Sequence, residues 1–527
     1  MRTIVDGIVQ GAYGRGSLTV LGVSDGSGAA CLSWAQVHDR ARRTAAVLAA
    51  YGVRRGSRVG LLGDTGLGLV IAAQAVWLAG GSITMLPPVQ RSRMDAVSRI
   101  VADAGFDLVL TDSGPLPSLG RPGMGLADLE RVSLRAAPAE PAEIGPDDLA
   151  VLQYTSGSTR QPRGVPVTHG NLAANIVASR AALGHDRWHS TPMMSWLPLF
   201  HDMGLIGFLA FPMSCGCPLV LQSPLAFARR PVSWLEALSR YRAAVTGAPN
   251  FAYRLLVPLL SAGLPVDLRS VRLMLCGGEP IDPGVLDSFA AAAYRNGLAR
   301  DAIAAAYGLA EATLAVTLAV GGGLTTDVVD GAVLERDGLA LPAEAGKPLV
   351  RLGTPIPGMA VRIASRETGE VLAERRVGRI EVSGPSVTAL AVDGWLDTGD
   401  LGYLAGGELV VCGRVKDVLF AAGRNIHPQD IEYAAHRVHG VRSAIAFGVP
   451  GDGGDRIVVA IETRGSEAAR VRTDVAAAVV GAVGVRPSEV VTVPAGRSPR
   501  TSSGKPRRAE ARRRYLSGEL FEKGHVR

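Results

Sequence analysis

The stretch "LQYTSGSTRQPRGVPVTHGNL" at 152–172 sets six hydroxyl residues and three glycines between an apolar run and a helical pattern. Small residues let backbone N–H groups approach an anion closely, and the hydroxyls of Thr155, Ser156, Ser158 and Thr159 add donors, so the chemistry it suits is phosphate binding. It is not a Walker A loop, because Gly164 is followed by Val165 where that motif needs lysine. The alternative is an ordinary strand-to-helix turn. Lysine usage is a second signal. Of 55 Lys and Arg residues only Lys347, Lys416, Lys505 and Lys523 are lysines. An ammonium is a compact point charge and a guanidinium a wide planar fork, so such a chain keeps lysine either by chance or where compactness matters.

The elements that must position these groups are legible as an α/β pattern. "WAQVHDRARRTAAVLAAYG" has helical apolar spacing and ends in glycine, and "SRVGLLG" follows as a short buried strand. Residues 135–149 are rich in Pro, Ala and acids and form a surface connection. "LAVLQYT" fits a strand and "NLAANIVASRAAL" puts Leu172, Ile176 and Leu183 on one helix face, so the hydroxyl-rich loop is expected to join strand to helix. "VRLMLCGGEPIDPGVLDSF" repeats the arrangement with Asp282 as N-cap and Pro283 at the first helical position, and "AIAAAYGLAEAT" is expected to do so again. Ligands in open α/β sheets sit beyond the carboxyl ends of strands, which brings three such loops to one crevice. After about residue 415 the texture changes to shorter strands, "AIAFGVP" and "RIVVAIETR", and ends in "SPRTSSGKPRR", a separate small α+β domain.

Composition excludes some functions. A net charge of +7 with 20% charged and 5% aromatic residues is unlike a nucleic-acid protein, and the basic run "PRRAEARRRY" is expected to be a solvated helix face. Cys31, Cys215, Cys217, Cys276 and Cys412 lack zinc-ligand spacing, which implies reduced, mostly buried thiols in a cytoplasmic protein. "MRTIVDGIVQGAYG" has no sustained apolar core of the secretory kind. Residues 65–90 and 203–228 lack charge, but their Gly, Pro and polar breaks point to buried core and not to membrane spans.

The ordered set "YTSGSTRQPRGV", "YGLAEAT", "DTGDLG", "GRVKDVLFAAGRNIHP" and "SSGK" resembles the adenylate-forming superfamily of acyl-CoA synthetases, peptide-synthetase adenylation domains and luciferases. "SWLPLFHDMGLIG", "SPLAFARRPVSWLEALSRYRAAVTGAPNFAYRL" and "YGLAEATLAVT" look like fatty acyl-AMP ligases in particular. The resemblance covers nearly the whole chain. It implies an α/β fold with a large multi-subdomain N-terminal domain (1–414), a hinge (415–417) and a small mobile α+β C-terminal domain (418–527). It implies a reaction in which a fatty or related carboxylate attacks Mg-ATP to give acyl-AMP and pyrophosphate. A thiol, that of an acyl carrier protein or of CoA, then takes the acyl group.

The resemblance also implies roles. Thr155, Ser156, Gly157, Ser158 and Thr159 would hold the β- and γ-phosphates, and Glu311 would hold Mg²⁺, its alternative being a solvent-facing acid at a helix start. Tyr307, followed by Gly308, would stack on adenine unless it is a core tyrosine, and Gly277, Gly278, Glu279 and Pro280 would wall that pocket. Asp400 would accept the ribose hydroxyls or simply form a turn, and Arg414 would assist there or be a surface arginine. Lys505 would bridge carboxylate and α-phosphate. Lys416 would be the hinge or a plain surface lysine, and His201 would gate the acyl tunnel or be a core histidine. Arg160 and Arg163 replace the superfamily's glycine and lysine, and Ala310 replaces a threonine. The loop before "GWL" is short. Residues 319–353 look like the insertion that disfavours CoA in fatty acyl-AMP ligases, and the basic C-terminal domain suits an acidic carrier protein as well as CoA. A non-catalytic adenylate-binding protein is a third possibility, against which Lys505, Glu311 and Asp400 argue.

Overall fold

Within the uncharged run at 65–90 the helix Leu67–Leu78 is core, with every residue from Leu69 to Leu78 buried. Among the described residues no helix is long and apolar enough to cross a membrane. The computed structural model describes residues 1–22, 29–88, 94–112, 120–155, 163–184, 190–389, 391–421, 424–451, 454–463, 468–501 and 504–520. Contacts divide the chain into two units. The first is Met1–Thr325 with Leu352–Val361 and Val382–Leu396, and the second is Thr326–Arg351 with Arg362–Glu381 and Asp397–Arg527. The division groups 397–414 with the C-terminal residues and so does not fall at the 415–417 hinge read from sequence.

The first unit has two sheets with parallel centres. In one, Gly123–Gly125, Leu108–Thr111, Arg58–Leu62, Ser82–Leu86 and Leu149–Thr155 run parallel, and Arg163–Thr168 closes the edge antiparallel. In the other, Ile303–Gly308, Leu273–Cys276, Val245–Ala248, Met193–Ser195, Leu219–Leu221 and Ser17–Val20 form the parallel centre of nine strands. Helices cover such strands on both faces, which is why they read as continuous apolar runs. The indole of buried Trp77 donates to the Ala150 carbonyl at 2.9 Å and ties Leu67–Leu78 to the strand that leads into the hydroxyl-rich loop.

That loop does not lead straight into a helix. Arg163–Thr168 is a strand with Pro166 opposite Leu152, so 152–168 is a hairpin whose connection, 156–162, lies outside the described residues. Gly164 and Pro166 hid the strand, and it is an edge strand, the place where proline's missing N–H is tolerated. The helix His169–Ala182 follows at once, with Thr168 as N-cap and Asn171 completing the capping box. The third expected strand-turn-helix unit is also corrected, since Ile303–Gly308 runs into a single 3₁₀ turn, Ala310–Ala312, and returns as the antiparallel strand Ala315–Leu318. The second is as expected, with Asp282 accepting from the Gly284 N–H and Pro283 opening the helix.

In the second unit Val441–Gly451 and Gly454–Thr463 form an antiparallel hairpin of 11- and 10-residue strands, and Glu489–Thr492 adds in parallel. These are not the short strands expected. Ala444 and Ala446 pack towards the helices Pro428–Arg437 and Ala468–Val483, whereas Ile445, Phe447 and Val449 pack with Ala511 and Tyr515 of the helix Arg508–Leu516. With both faces covered by apolar residues the period-two signal vanishes from the sequence. The basic run is solvated only in part: Arg507 and Arg512 are exposed and Arg513 and Arg514 pair with Glu510, but Arg508 turns inward. Of the cysteines, Cys217, Cys276 and Cys412 are buried, Cys215 is half-buried and Cys31 is exposed.

His169 is fully buried at the first position of its helix, and neither ring nitrogen has a hydrogen-bond partner among the described residues. Burial depresses its pKa to about 4, against the opposing pull of Asp148 and Asp6. Its folded pKa lies below the unfolded value, so the stability gained by keeping it neutral is complete above about pH 6.5 and is lost as pH falls towards 4. Chemical denaturation of the parent across this window should show a loss that is shallower by about 3 kcal/mol in His169→Gln. Identical pH slopes would contradict the assignment.

Candidate functional site

In the first unit the residues singled out from sequence are linked by a chain of contacts. Thr155 ends the strand Leu149–Thr155 half-buried, whereas Ser156, Gly157, Ser158 and Thr159 lie outside the described residues. Two positions before Thr155, the buried Gln153 donates through Nε2 to the Phe200 carbonyl at 2.9 Å, fastening this strand to the turn that carries His201. His201 is half-buried, its ring 4.7 Å from that of Phe200, and its carbonyl accepts from Leu205 in the following helix. A few residues earlier, Trp196 stacks on Phe227 at 3.6 Å and meets Phe251 edge-on at 6.2 Å. The Phe251 N–H donates to Glu279 Oε1 at 2.7 Å, which connects the aromatic group to the Gly277–Pro280 turn. Glu279 therefore caps the helix Asn250–Ser261 as well as lining its own turn.

That turn leaves the strand Leu273–Cys276, whose parallel neighbour carries Tyr307 and Gly308 at its end, both half-buried. A Cβ at Gly277 would lie 2.8 Å from the Ala306 carbonyl oxygen and one at Gly308 1.9 Å from that of Leu314, so the backbones meet where side chains cannot fit. Glu311 sits half-buried in the 3₁₀ turn and not at a helix start. Among the described residues its carboxylate has no cationic partner, which suits an acid that neutralises a metal beside phosphate oxygens. No cluster of three or more His, Cys, Asp or Glu metal ligands occurs among the described residues.

What fixes the Glu311 turn was missed in the sequence. Asn175, buried on the helix His169–Ala182, donates through Nδ2 to the Ala315 carbonyl at 2.9 Å, to Ala312 at 3.3 Å and to Ser386 Oγ at 3.2 Å. Its Oδ1 accepts from the Ala315 N–H at 3.3 Å. Between these points Thr313 has φ 70° and ψ −61°, and the Leu314 N–H donates to the Ala312 carbonyl at 2.9 Å: a γ-turn, rarely adopted by a β-branched residue. Thr313 Oγ1 holds the turn by donating to the Ser386 carbonyl at 2.6 Å, and the Thr388 N–H donates to the Glu311 carbonyl at 2.9 Å. A polar residue next to Ile176 on the helix that follows the loop was the only available signal.

The second unit holds the remaining residues. Asp400 and Arg414 face each other across a hairpin, and Arg414 Nε donates to Asp400 Oδ1 at 2.8 Å. Asp400 is buried and Arg414 largely exposed, so the carboxylate is fixed and the guanidinium reaches outward. Lys416 is exposed on the turn after Arg414, where the Asp417 N–H donates to the Arg414 carbonyl at 3.1 Å. Lys505 is exposed on a closed turn: its N–H donates to Thr501 Oγ1 at 3.0 Å and its carbonyl accepts from the Thr501 N–H at 2.8 Å. Lys347 is instead half-buried, paired with Asp430 and 3.9 Å from Glu335.

A family model of AMP-binding enzymes matches residues 18–389. The protein Rv1013 of Mycobacterium tuberculosis is 40% identical over 515 residues, covering 91% of this chain and 94% of its own. The medium-chain fatty acid acyl-carrier-protein ligase JamA of Moorena producens is 33% identical over 538 residues, covering 93% and 90%. A structure from work on fatty acyl-adenylate ligases of E. coli and L. pneumophila superposes with a TM-score of 0.87 at 33% identity, over 98% of both chains.

Replacing Asn175 by the similarly sized leucine removes, away from water, its bonds to the Ala315 carbonyl and N–H, while the Ala312 carbonyl keeps the Leu314 N–H. Asn175→Leu should lower the unfolding free energy by about 3 kcal/mol. It should also speed amide exchange at Ala315 ahead of global unfolding. Parental stability and exchange would show that the turn stands without it.

Proposed function

Because the chain belongs to the AMP-binding, adenylate-forming enzymes, we propose that it is a fatty acyl-AMP ligase that loads an acyl carrier protein. As an enzyme of this family it activates a carboxylic acid with ATP. The observation that carries the finer reading is the Gln153–Phe200 bond. It sets the "SWLPLFHDMGLIG" segment, the part most like fatty acyl-AMP ligases, against the strand that ends in the phosphate loop.

In the proposed reaction a carboxylate oxygen attacks the α-phosphorus, the bond to the bridging oxygen breaks, and pyrophosphate leaves. Positioning and positive charge do most of the work in such a displacement. Thr155 and the hydroxyls after it hold the β- and γ-phosphates, and Lys505 neutralises the carboxylate and α-phosphate as they meet. Tyr307 and the Gly277–Pro280 turn take adenine. Buried Asp400, steadied by Arg414, accepts from the ribose hydroxyls, and His201 stands at the carboxylate end of the acyl site. Glu311 is the residue to hold Mg²⁺, which when bound supplies charge neutralisation on the phosphates. In the second step a phosphopantetheine thiolate attacks the acyl carbonyl carbon and AMP departs, with rotation about Lys416 changing the face presented to the adenylate.

The carrier protein is favoured as acceptor over CoA by residues 326–351, which are fastened beyond the hinge by Lys347 with Asp430 and by Arg424 with Glu335. A rotation at Lys416 has to break or carry these pairs. CoA remains the alternative acceptor.

Mass spectrometry of the protein with Mg-ATP and a panel of fatty and aryl-alkanoic acids should show acyl-AMP that is unaffected by CoA and moves to a phosphopantetheinylated carrier protein. Conversion to acyl-CoA would select the alternative. Lys505→Ala should lower adenylation by about 100- to 1,000-fold while ATP still binds. Lys416→Pro should slow acyl transfer more than adenylation, and an equal loss in both half-reactions would remove the hinge role.

A further inference from the structure

The arginine that turns inward from the basic run lies three residues past Lys505. Arg508 opens the helix Arg508–Leu516, a position where the aligned backbone N–H groups disfavour a cation. Its side chain is only 14% exposed. It stays there because it forms a two-pronged pair with Glu432, Nε to Oε1 at 2.9 Å and Nη2 to Oε2 at 2.7 Å, and its remaining prong reaches Asp417 Oδ2. Glu432 Oε1 also accepts from the Ala446 N–H at 3.1 Å, so that carboxylate is anchored to the edge strand Val441–Gly451. Asp417 is the residue after Lys416.

The turn that carries Lys505 has its own braces. Arg500 donates to the Gly504 carbonyl at 2.6 Å and to Ser443 Oγ at 2.7 Å, and the Arg507 N–H donates to the Pro499 carbonyl at 2.9 Å. These fix the shape of the turn. Arg508 is the side chain that joins the end of the turn to the segment next to Lys416.

We propose that Arg508 is a positioning residue that locks the Lys505 turn to Asp417, so that the backbone setting at Lys416 and the placement of the Lys505 ammonium change together. The proposal rests on the proposed roles of Lys505 and Lys416. A guanidinium suits it because one planar group can serve two carboxylates at once, whereas an ammonium would give up the fork to Glu432.

The test is a mutant cycle in the full-length protein, following pyrophosphate release with Mg-ATP and the acid the parent turns over fastest in a fatty and aryl-alkanoic panel. Arg508→Met should lower kcat about 100-fold, the scale of an ångström-sized misplacement, with the KM for ATP little changed. Arg508→Lys should recover little. Asp417→Asn keeps the shape of the side chain and leaves the Glu432 fork in place, and it should lower kcat about 10-fold, so the proposal can be judged even if Arg508→Met folds poorly. The decisive arm is the double variant: if Arg508 acts through Lys505, adding Arg508→Met to Lys505→Ala costs nothing further. A full additional loss in the double variant, or parental kcat in both Arg508→Met and Asp417→Asn, would overturn the proposal. Parental adenylation by Lys505→Ala itself would instead overturn the reading beneath it.

Discussion

The carboxylate proposed to stand beside a polyphosphate has to be held by its backbone, because its own charge gives it no attraction to the anion. Here the backbone that carries Glu311 is a tight, strained turn between two antiparallel strands, and the buried amide of Asn175 closes it from behind. An unpaired buried carbonyl costs about 1–3 kcal/mol, and Asn175 serves the Ala315 carbonyl and N–H and adds a second donor at the Ala312 carbonyl. Without it the γ-turn at Thr313 would keep only its own short backbone bonds and the Ser386 and Thr388 contacts. The strand ends bearing Tyr307 and the Gly277–Pro280 turn follow from the same packing, since Gly308 lies against the Leu314 carbonyl within that turn.

The second unit is organised differently. Apolar clusters lie on the two faces of the hairpin formed by Val441–Gly451 and Gly454–Thr463, but the segments around them are joined by buried and half-buried charges. Asp327 accepts from Tyr403 at 2.8 Å, from Arg351 at 3.0 Å and from Arg375 at 3.1 Å. Burial works to raise its pKa, yet these donors hold it below the usual carboxylate value. Lys347 with Asp430 and Arg508 with Glu432 and Asp417 follow the same scheme. Such pairs add little net stability over an apolar replacement, but losing one partner costs about 3–5 kcal/mol, so they fix which segments meet. An arginine-rich composition serves this end, because the planar fork joins two segments where an ammonium joins fewer.

Local signals were legible wherever one element's own sequence decided it. The helix Trp34–Ala50, the strand Leu149–Thr155 and the Asp282 cap with Pro283 needed no tertiary information. Arg163–Thr168 was hidden by Gly164 and Pro166, and only its place at a sheet edge makes such a strand tolerable. The Glu311 turn was hidden because alanine-rich sequence favours helix, while the strand returning through Ala315 is imposed by pairing with Ile303–Gly308. Gln153, Asn175 and Arg508 were invisible for one reason: each reads as an ordinary polar residue on an amphipathic element, and its importance lies in a partner far along the chain. The roles proposed for Lys505, Asp400 and Tyr307 came from the order of whole motifs and not from any property of those residues alone.

The central claim is that these residues direct a carboxylate to the α-phosphorus of ATP. The most direct measurement supplies carboxylate labelled with ¹⁸O in both oxygens, cleaves the product with hydroxylamine at the acyl carbon, and weighs the AMP. Attack at the α-phosphorus leaves one labelled oxygen on AMP and releases unlabelled pyrophosphate. Unlabelled AMP, or label carried by ADP or inorganic phosphate, would contradict the claim.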